Sequence, residues 1–343
     1  MNKWYEKDGN YPDVVISSRV RLARNLSNYP FCNRMTKEDT VSLIREVKSS
    51  LENINLGENA FTYLEEDALV GYQGGSLAEN HIVSPDFLQS TNGRMLVLTK
   101  DQSISIMVNE EDHLRIQVMA SGLNLQAALE TANRIDDAMD ERLNYAFDGQ
   151  LGFLTACPSN LGTGLRASVM LHLPALEKAG ALNKLSGTLS KLGLTLRGTY
   201  GEGTKAVGSI YQISNQITLG ISEERAVKNL QEIVMQIIEK EREARKALTS
   251  TERFADQVYR CYGTLKYAQM ISSEEAYELI SQLRIGLSEG LLNEPEMEKL
   301  RAEQLNSILF RIGGATLCAQ EGKELTAAER DRLRAKRIRE VLI

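Results

Sequence analysis

The chain has 343 residues, of which 42% are hydrophobic, 25% charged and 6% aromatic, a composition with room for two cores that excludes disordered, collagenous and membrane-spanning classes. Forty Lys and Arg against 46 Asp and Glu leave a net charge of -6, so this is not the basic body of a general nucleic-acid binder, and any anion site must be local. The four cysteines (Cys32, Cys157, Cys261, Cys318) lack C-x-x-C spacing and the three histidines (His81, His113, His172) lack metal-ligand spacing, which predicts reduced thiols and no dedicated transition-metal centre.

The first residues, Met1-Asn2-Lys3-Trp4-Tyr5, do not read as a signal peptide, and no run approaches the ~18 apolar residues of a membrane helix. A cytoplasmic protein without membrane contact is expected. In chain order, a strand is predicted over 14–20 and a helix over 36–51 with Thr36 as its cap. Strands follow over 95–98, 104–108 and 116–119, then a helix over 125–143. A third helix covers 174–192 with Pro174 in its first turn, and a strand covers 210–213. From Ser222 onward strand signals cease. A charged helix ends near Lys246, and amphipathic helices follow, one opened by Ser272-Ser273-Glu274-Glu275 and the last by Thr326-Ala327-Ala328-Glu329, both with capping-box spacing. The expected fold is α+β, with an antiparallel-sheet catalytic domain over 1–246 and a smaller helical domain over 247–343.

Four segments concentrate polar groups between apolar residues. The first is Ile16-Ser17-Ser18-Arg19-Val20-Arg21-Leu22-Ala23-Arg24-Asn25, where the strand period sends Arg19 and Arg21 to one face. Two guanidinium groups so placed repel unless an anion lies between them, although a solvated face is the ordinary alternative. The second, Val108-Asn109-Glu110-Glu111-Asp112-His113-Leu114-Arg115-Ile116, interrupts a strand pattern with three acids. Such acids could bind a cation, or hold a guanidinium and take its proton; an acidic turn satisfied by Arg115 is the plainer reading. The third, Cys157-Pro158-Ser159-Asn160-Leu161-Gly162-Thr163-Gly164-Leu165-Arg166-Ala167-Ser168, joins a thiol to a glycine turn that could approach phosphate. The fourth is Arg197-Gly198-Thr199-Tyr200-Gly201-Glu202-Gly203-Thr204. P-loop and Ser/Thr/Tyr-kinase signatures are absent from the sequence.

Together and in this order, the segments resemble the guanidino (phosphagen) kinases, most specifically at NEEDH-x-R (109–115) and CP-S-NLGT (157–163). The terminal Arg330-Asp331-Arg332-Leu333-Arg334-Ala335 resembles the RDxxRA motif of the branch that phosphorylates arginine in proteins. The leading helical domain of the metabolic enzymes is expected to be absent, since only a short stretch precedes Ile16. The sequence also departs from arginine kinases at Tyr200 and Gly203, where they carry arginine and histidine.

The resemblance implies ATP as cosubstrate. It implies an ATP site formed by Ser17, Ser18, Arg19, Val20, Arg21, His81, Arg115, Arg166, Ala167, Ser168, Val169, Met170, Arg197, Gly198, Thr199, Tyr200, Gly201 and Glu202. Within it, Arg19, Arg21, Arg115, Arg166 and Arg197 would clamp phosphates, and His81 would lie on the adenine side. Glu111 and Glu202 would hold the acceptor guanidinium beside a reactive Cys157. Mg²⁺ would ride on the phosphates with Glu110 behind its waters. Arg330, Asp331, Arg334 and Ala335 would form a separate phosphoarginine-binding allosteric site; the basic run 330–340, six Lys or Arg against two acids, could equally be a solvated face. Implied partners are protein substrates with exposed arginines, an activator (McsA), the stress repressor CtsR, the ClpC protease and further copies of the chain. The expected function is ATP-dependent phosphorylation of protein arginine in stress response and degradation. The alternatives are a kinase of a free small guanidino compound and a non-catalytic phosphoarginine-binding adaptor.

Overall fold

In β1 (Val15–Arg24), Val20 and Leu22 alternate with Arg19 and Arg21 and are fully buried, which makes this strand the middle of a sheet. The computed structural model describes residues 2–52, 54–90, 93–199, 206–292 and 300–342. Its principal sheet adds β2 (Phe61–Glu65), β3 (Met95–Thr99), β4 (Ile104–Val108) and β5 (Leu114–Ser121). A hairpin, β6 (Phe147–Asp148) with β7 (Gly152–Phe153), stands apart, and β8 (Leu165–His172), β9 (Leu194–Gly198) and β10 (Ile210–Asn215) complete the main sheet. The eight strands run β2-β3-β4-β5-β1-β8-β10-β9, all neighbours antiparallel.

Register decides what each face carries. Val20 lies opposite Val118 and Ala167, and Leu22 opposite Ile116 and Leu165, so one face is apolar. It is covered by α1 (Lys37–Leu51), α4 (Leu125–Asp140) and α7 (Glu223–Thr249), whose buried residues join it in one cluster. The other face sets Arg21 between Gln117 and Arg166, and Arg19 between Met119 and Ser168. Opposed like charges in a sheet cost roughly 0.2–1 kcal/mol, whereas each fully buried Val or Leu stabilises by about 1.5–3 kcal/mol. The apolar face therefore fixes the register, and the arginines are carried along with it.

The remaining helices are α2 (Gly71–Glu79), α3 (Pro85–Gln89), α5 (Pro174–Lys178), α6 (Leu182–Lys191), α8 (Glu252–Tyr267), α9 (Ser273–Ser288), α10 (Ala302–Leu309), α11 (Gly314–Glu321) and α12 (Ala327–Leu342). The single helix expected over 174–192 is two, because Gly180 at φ +67° turns the chain between α5 and α6. Thr36 caps α1 in a reciprocal box with Asp39, and Thr326 caps α12 in one with Glu329. At Ser272 the hydroxyl accepts from Glu275 N.

Among the described residues no strand follows β10, and the late helices do not form a core of their own. Trp4, Ile16, Met119, Met170 and Ile210, from the N-terminus and the arginine-bearing face, pack in one cluster with Phe254, Tyr277, Phe310 and Ile338. A buried ionic knot crosses the same seam. Arg245 pairs with Glu241 at 2.8 Å, both fully buried, and donates to the carbonyls of Asp13 and His172 and to Ser288 Oγ. No helix among the described residues is long and apolar enough to cross a membrane.

Candidate active site

The turn between β4 and β5 begins at Asn109, which takes φ +62° while its N–H donates to His113 O at 3.0 Å. Two members of the 109–115 segment are structural. Asp112 is buried, and its Oδ1 accepts from Asn25 Nδ2 at 2.6 Å and Ala156 N at 2.7 Å. His113 accepts from Leu26 N at Nδ1, which puts its proton on Nε2 facing Pro30 O at 2.8 Å; burial lowers its pKa. With those two committed, Glu110 and Glu111 remain, Glu110 with its side chain almost wholly buried and Glu111 exposed.

Glu110 is tied by an ion pair to Arg115, by Ser84 Oγ at 2.6 Å, and by the N–H of Glu111 at 3.0 Å. Glu111 is the exposed member. Partial burial, then Asp112 and Glu110, push its carboxyl above the ordinary range, while a hydrogen bond with Cys157 and the charge of Arg115 pull the other way. Asn160 Nδ2 also reaches it at 3.5 Å. Cys157 Sγ lies 3.0 Å from Ser159 Oγ, in a loop pinned where Thr218 Oγ1 donates to the carbonyls of Ser159 and Leu161. An acid with a raised pKa, a thiol and an amide thus meet at one end of the sheet.

The cations occupy the strands behind. Arg19 donates to Gln212 at 2.7 Å and Ser168 at 3.3 Å, Arg166 reaches Ser214 at 3.5 Å, and Arg197 sits opposite Gln212. Arg21 Nε finds no hydrogen-bond partner among the described residues. Burial, then Arg19, Arg115 and Arg166, hold the Arg21 pKa far below the arginine range, and burial with Arg197 and Arg115 lowers that of Arg166. At an effective dielectric of 20, unit charges 4 Å apart repel by about 4 kcal/mol. Glu110 is the carboxylate that offsets the charge at Arg21, so the cluster is short of anion. The carbonyl of His81, at φ +57° after α2, accepts from Gln117 Nε2 at 2.8 Å. Burial, Arg19 and Arg21 push its pKa down to about 3, so the ring is neutral at physiological pH. The arrangement can hold a polyanion along the sheet and a cation at the Glu111 end.

Not every expected ligand faces this site. Ser17, Ser168 and Met170 share the arginine face, but Val20, Ala167 and Val169 lie in the core beneath the opposite one. Ser18 Oγ is used within the fold, donating to Gly122 O and accepting from Asn124 N. The side chains of these four are therefore not contacts of a ligand on the arginine face. Gly198 ends β9 beside it and Thr199 follows the strand, while Tyr200, Gly201 and Glu202 lie outside the described residues. Gln117, Gln212, Ser214 and Ser84 were missed. The signal for the strand residues was a polar side chain at every second position of an otherwise apolar strand, as in Ile210-Tyr211-Gln212-Ile213-Ser214. Arg24, within the first polar segment, is structural: it is buried over the Phe153 ring, 3.6 Å from its centroid, and paired with Asp136.

On α12, Arg330, Asp331 and Arg334 line one cavity together with Tyr72 and Glu79 of α2 and the N-terminus of α11. Arg334 is 2% exposed, and its guanidinium donates to Ile312 O, Ile271 O and Asp331 Oδ1. Asp331 thus faces Arg334 of its own helix, and Ala335 is buried in the core beneath. Arg330 donates to Leu325 O. Glu79 accepts from Ala315 N, Thr316 N and Thr316 Oγ1 at 2.8–2.9 Å, tying α2 to the start of α11. No group of three or more His, Cys, Asp or Glu among the described residues is placed to hold a metal ion.

Residues 42–244 match the family described as ATP:guanido phosphotransferase, C-terminal catalytic domain, and residues 251–343 match the protein-arginine kinase McsB C-terminal domain. A protein-arginine kinase of Symbiobacterium thermophilum is 45% identical over 98% of this chain and 96% of its own. One from Clostridium acetobutylicum is 40% identical over 100% of both. Among solved structures, a lombricine kinase superposes with a TM-score of 0.60 at 30% identity over 68% of each chain. The duplicated taurocyamine kinase of Schistosoma mansoni, carrying transition-state analog components, gives 0.61 at 28% identity over 75% of this chain and 39% of that one.

Proposed function

The chain belongs to the ATP:guanido phosphotransferase family, and from that premise we propose that it is a protein-arginine kinase, moving the γ-phosphoryl group of ATP to arginine side chains of proteins. The observation that supports this most is the juxtaposition on one sheet face of a cation row short of counter-anion and an exposed carboxylate of raised pKa. Phosphoryl transfer asks for positioning and charge neutralisation more than covalent help. In this reading Arg19, Arg21, Arg115, Arg166 and Arg197 hold the triphosphate, and neutral His81 borders the base. Glu111, with Glu202 as its partner carboxylate, orients the acceptor guanidinium and takes its proton. The N–P bond then forms as the bond from the γ-phosphorus to the ADP oxygen breaks. Cys157 lies beside that acceptor.

Mg²⁺ bound to the phosphates would add its charge to that of the arginines. The residues present fit a metal held through the nucleotide, because Glu110 is already engaged by Arg115 and Ser84. We divide the work at 246/247, with catalysis in 1–246 and phosphoarginine recognition at Arg330, Asp331, Arg334 and Ala335 in 247–343. Partners that fit are protein substrates, an activator such as McsA, the repressor CtsR, the ClpC protease and further copies of the chain, in a cytoplasmic stress response. The test is intact-mass analysis of a protein substrate after incubation with Mg²⁺ and ATP. An added phosphate that is labile in acid, as a P–N bond is, supports the reading; phosphorylation of free arginine alone turns it to a small-molecule kinase, and no transfer with intact phosphoarginine binding turns it to an adaptor.

A further inference from the structure

The loop that carries Cys157 is the middle of a hydrogen-bonded strip whose two ends are apolar and exposed. On one side, Phe153 N donates to Gly162 O at 2.8 Å, and Phe153 pairs with Phe147 across the β6–β7 hairpin. On the other, Thr163 N donates to Thr218 O at 3.0 Å, and Gly162 packs so closely on Thr218 and Leu219 that a Cβ there would lie 2.3 Å from Thr218 O. Thr218 points inward to hold the loop, and its neighbours Ile217 and Leu219 are 51% and 47% exposed. At the hairpin end Phe147 and Leu151 are 61% and 44% exposed. Four large apolar side chains therefore flank the loop that carries Cys157. Singly such residues are ordinary on a surface; grouped on both sides of one loop they mark a contact surface.

We infer that this strip is the docking surface for the polypeptide that carries the target arginine, and that it selects arginines with apolar residues close by in sequence. The inference rests on the protein-arginine kinase reading. An arginine side chain is only a few bonds long, so a guanidinium at Glu111 and Cys157 brings its own backbone down onto whatever borders the loop. Each residue further along an extended chain advances by ~3.5 Å, which lays the nearest neighbours over Ile217 and Leu219 in one direction and Phe147 and Leu151 in the other. The continuity of the strip with the acceptor end is what commits it to the substrate chain.

The test compares two arginine peptides, one with Leu and Phe on both sides of the arginine and one with Gly and Ser, on wild type, on Ile217→Ser with Leu219→Ser, and on Phe147→Ser with Leu151→Ser. Thr218 is left in place. Wild type is expected to show a KM for the apolar peptide about tenfold lower at similar kcat, as removal of a few half-buried apolar contacts would predict. Each variant should raise that KM and leave the Gly/Ser peptide unchanged, which also certifies that the variant is folded. One KM for both peptides in wild type, or an equal loss on both peptides in the variants, overturns the strip while the kinase reading stands. Loss of self-association in the variants with KM unmoved assigns the strip to contact between copies and also overturns it. Phosphorylation of neither peptide by wild type, when a free guanidino compound is phosphorylated, removes the reading and the strip with it.

Discussion

Arg21 stands on the central strand with its Nε unpartnered among the described residues and with three other arginines close enough to depress its pKa. Such a side chain is a local cost to the empty protein and a gain once an anion arrives. Arg21→Gln should therefore raise the stability of the ligand-free protein by roughly 0.5–1 kcal/mol while weakening ATP binding by about tenfold or more, as loss of a charge-assisted hydrogen bond predicts. Denaturant melts and calorimetry on the same preparation check both, and a variant that is less stable when empty refutes the anion shortage. Glu111 sets the complementary case. Glu111→Gln keeps shape and ATP affinity but should lower kcat by about 10²–10⁴. Since partial burial and its acidic neighbours raise the Glu111 pKa, and turnover requires the ionised form, wild-type activity should fall on acidification at a pH above the ordinary ~4.3 of glutamate. That limb should vanish from the residual activity of the Gln variant. His81, held down to about 3, contributes nothing to it.

At the level of elements, α12 is where expectation and structure part most. The cap at Thr326 and the i, i+4 placement of Arg330 and Arg334 are legible in the sequence, and both are present. What could not be read is that Arg334 points inward to carbonyls of the 271 and 312 turns, because a charged residue gives no sign of burial until the segments that satisfy it are in place. Asp331→Ala should thus do two things: abolish phosphoarginine binding measured by titration, and lower the melting temperature, since Arg334 loses its carboxylate partner. Unchanged phosphoarginine binding in that variant returns α12 to a solvated basic face. The same limit applies to the sheet. Strands β1, β3, β4, β5 and β10 are legible as short apolar or alternating runs, whereas β2, an edge strand with mostly exposed side chains, carries too little of either pattern. The site motifs were legible as clusters, but the division of labour within 109–115, with Asp112 and His113 shaping the turn and Glu111 presented, depends on partners at Asn25, Leu26 and Ala156 brought from far along the chain.

On the scale of the whole molecule, strands and helices share the cluster that contains Trp4, so the chain should unfold in one transition despite its two kinds of architecture. Trp4 is 2% exposed, edge-on to Phe310 with ring centroids 4.9 Å apart, and its backbone N–H donates to Asp101 O of the β3–β4 turn. It is also the only tryptophan in the sequence. Its fluorescence is therefore a built-in optical probe of one seam: emission should be blue-shifted in the native protein and move to red in a single step that coincides with loss of far-UV circular dichroism. Two separated steps would show that the helices come away first. A temporal consequence follows for synthesis, since a residue made at the start of translation waits for Phe310, made near the end, before it is enclosed. The nascent chain must hold Trp4 exposed for most of its time on the ribosome, and the tryptophan signal times the moment at which the last helices close over it.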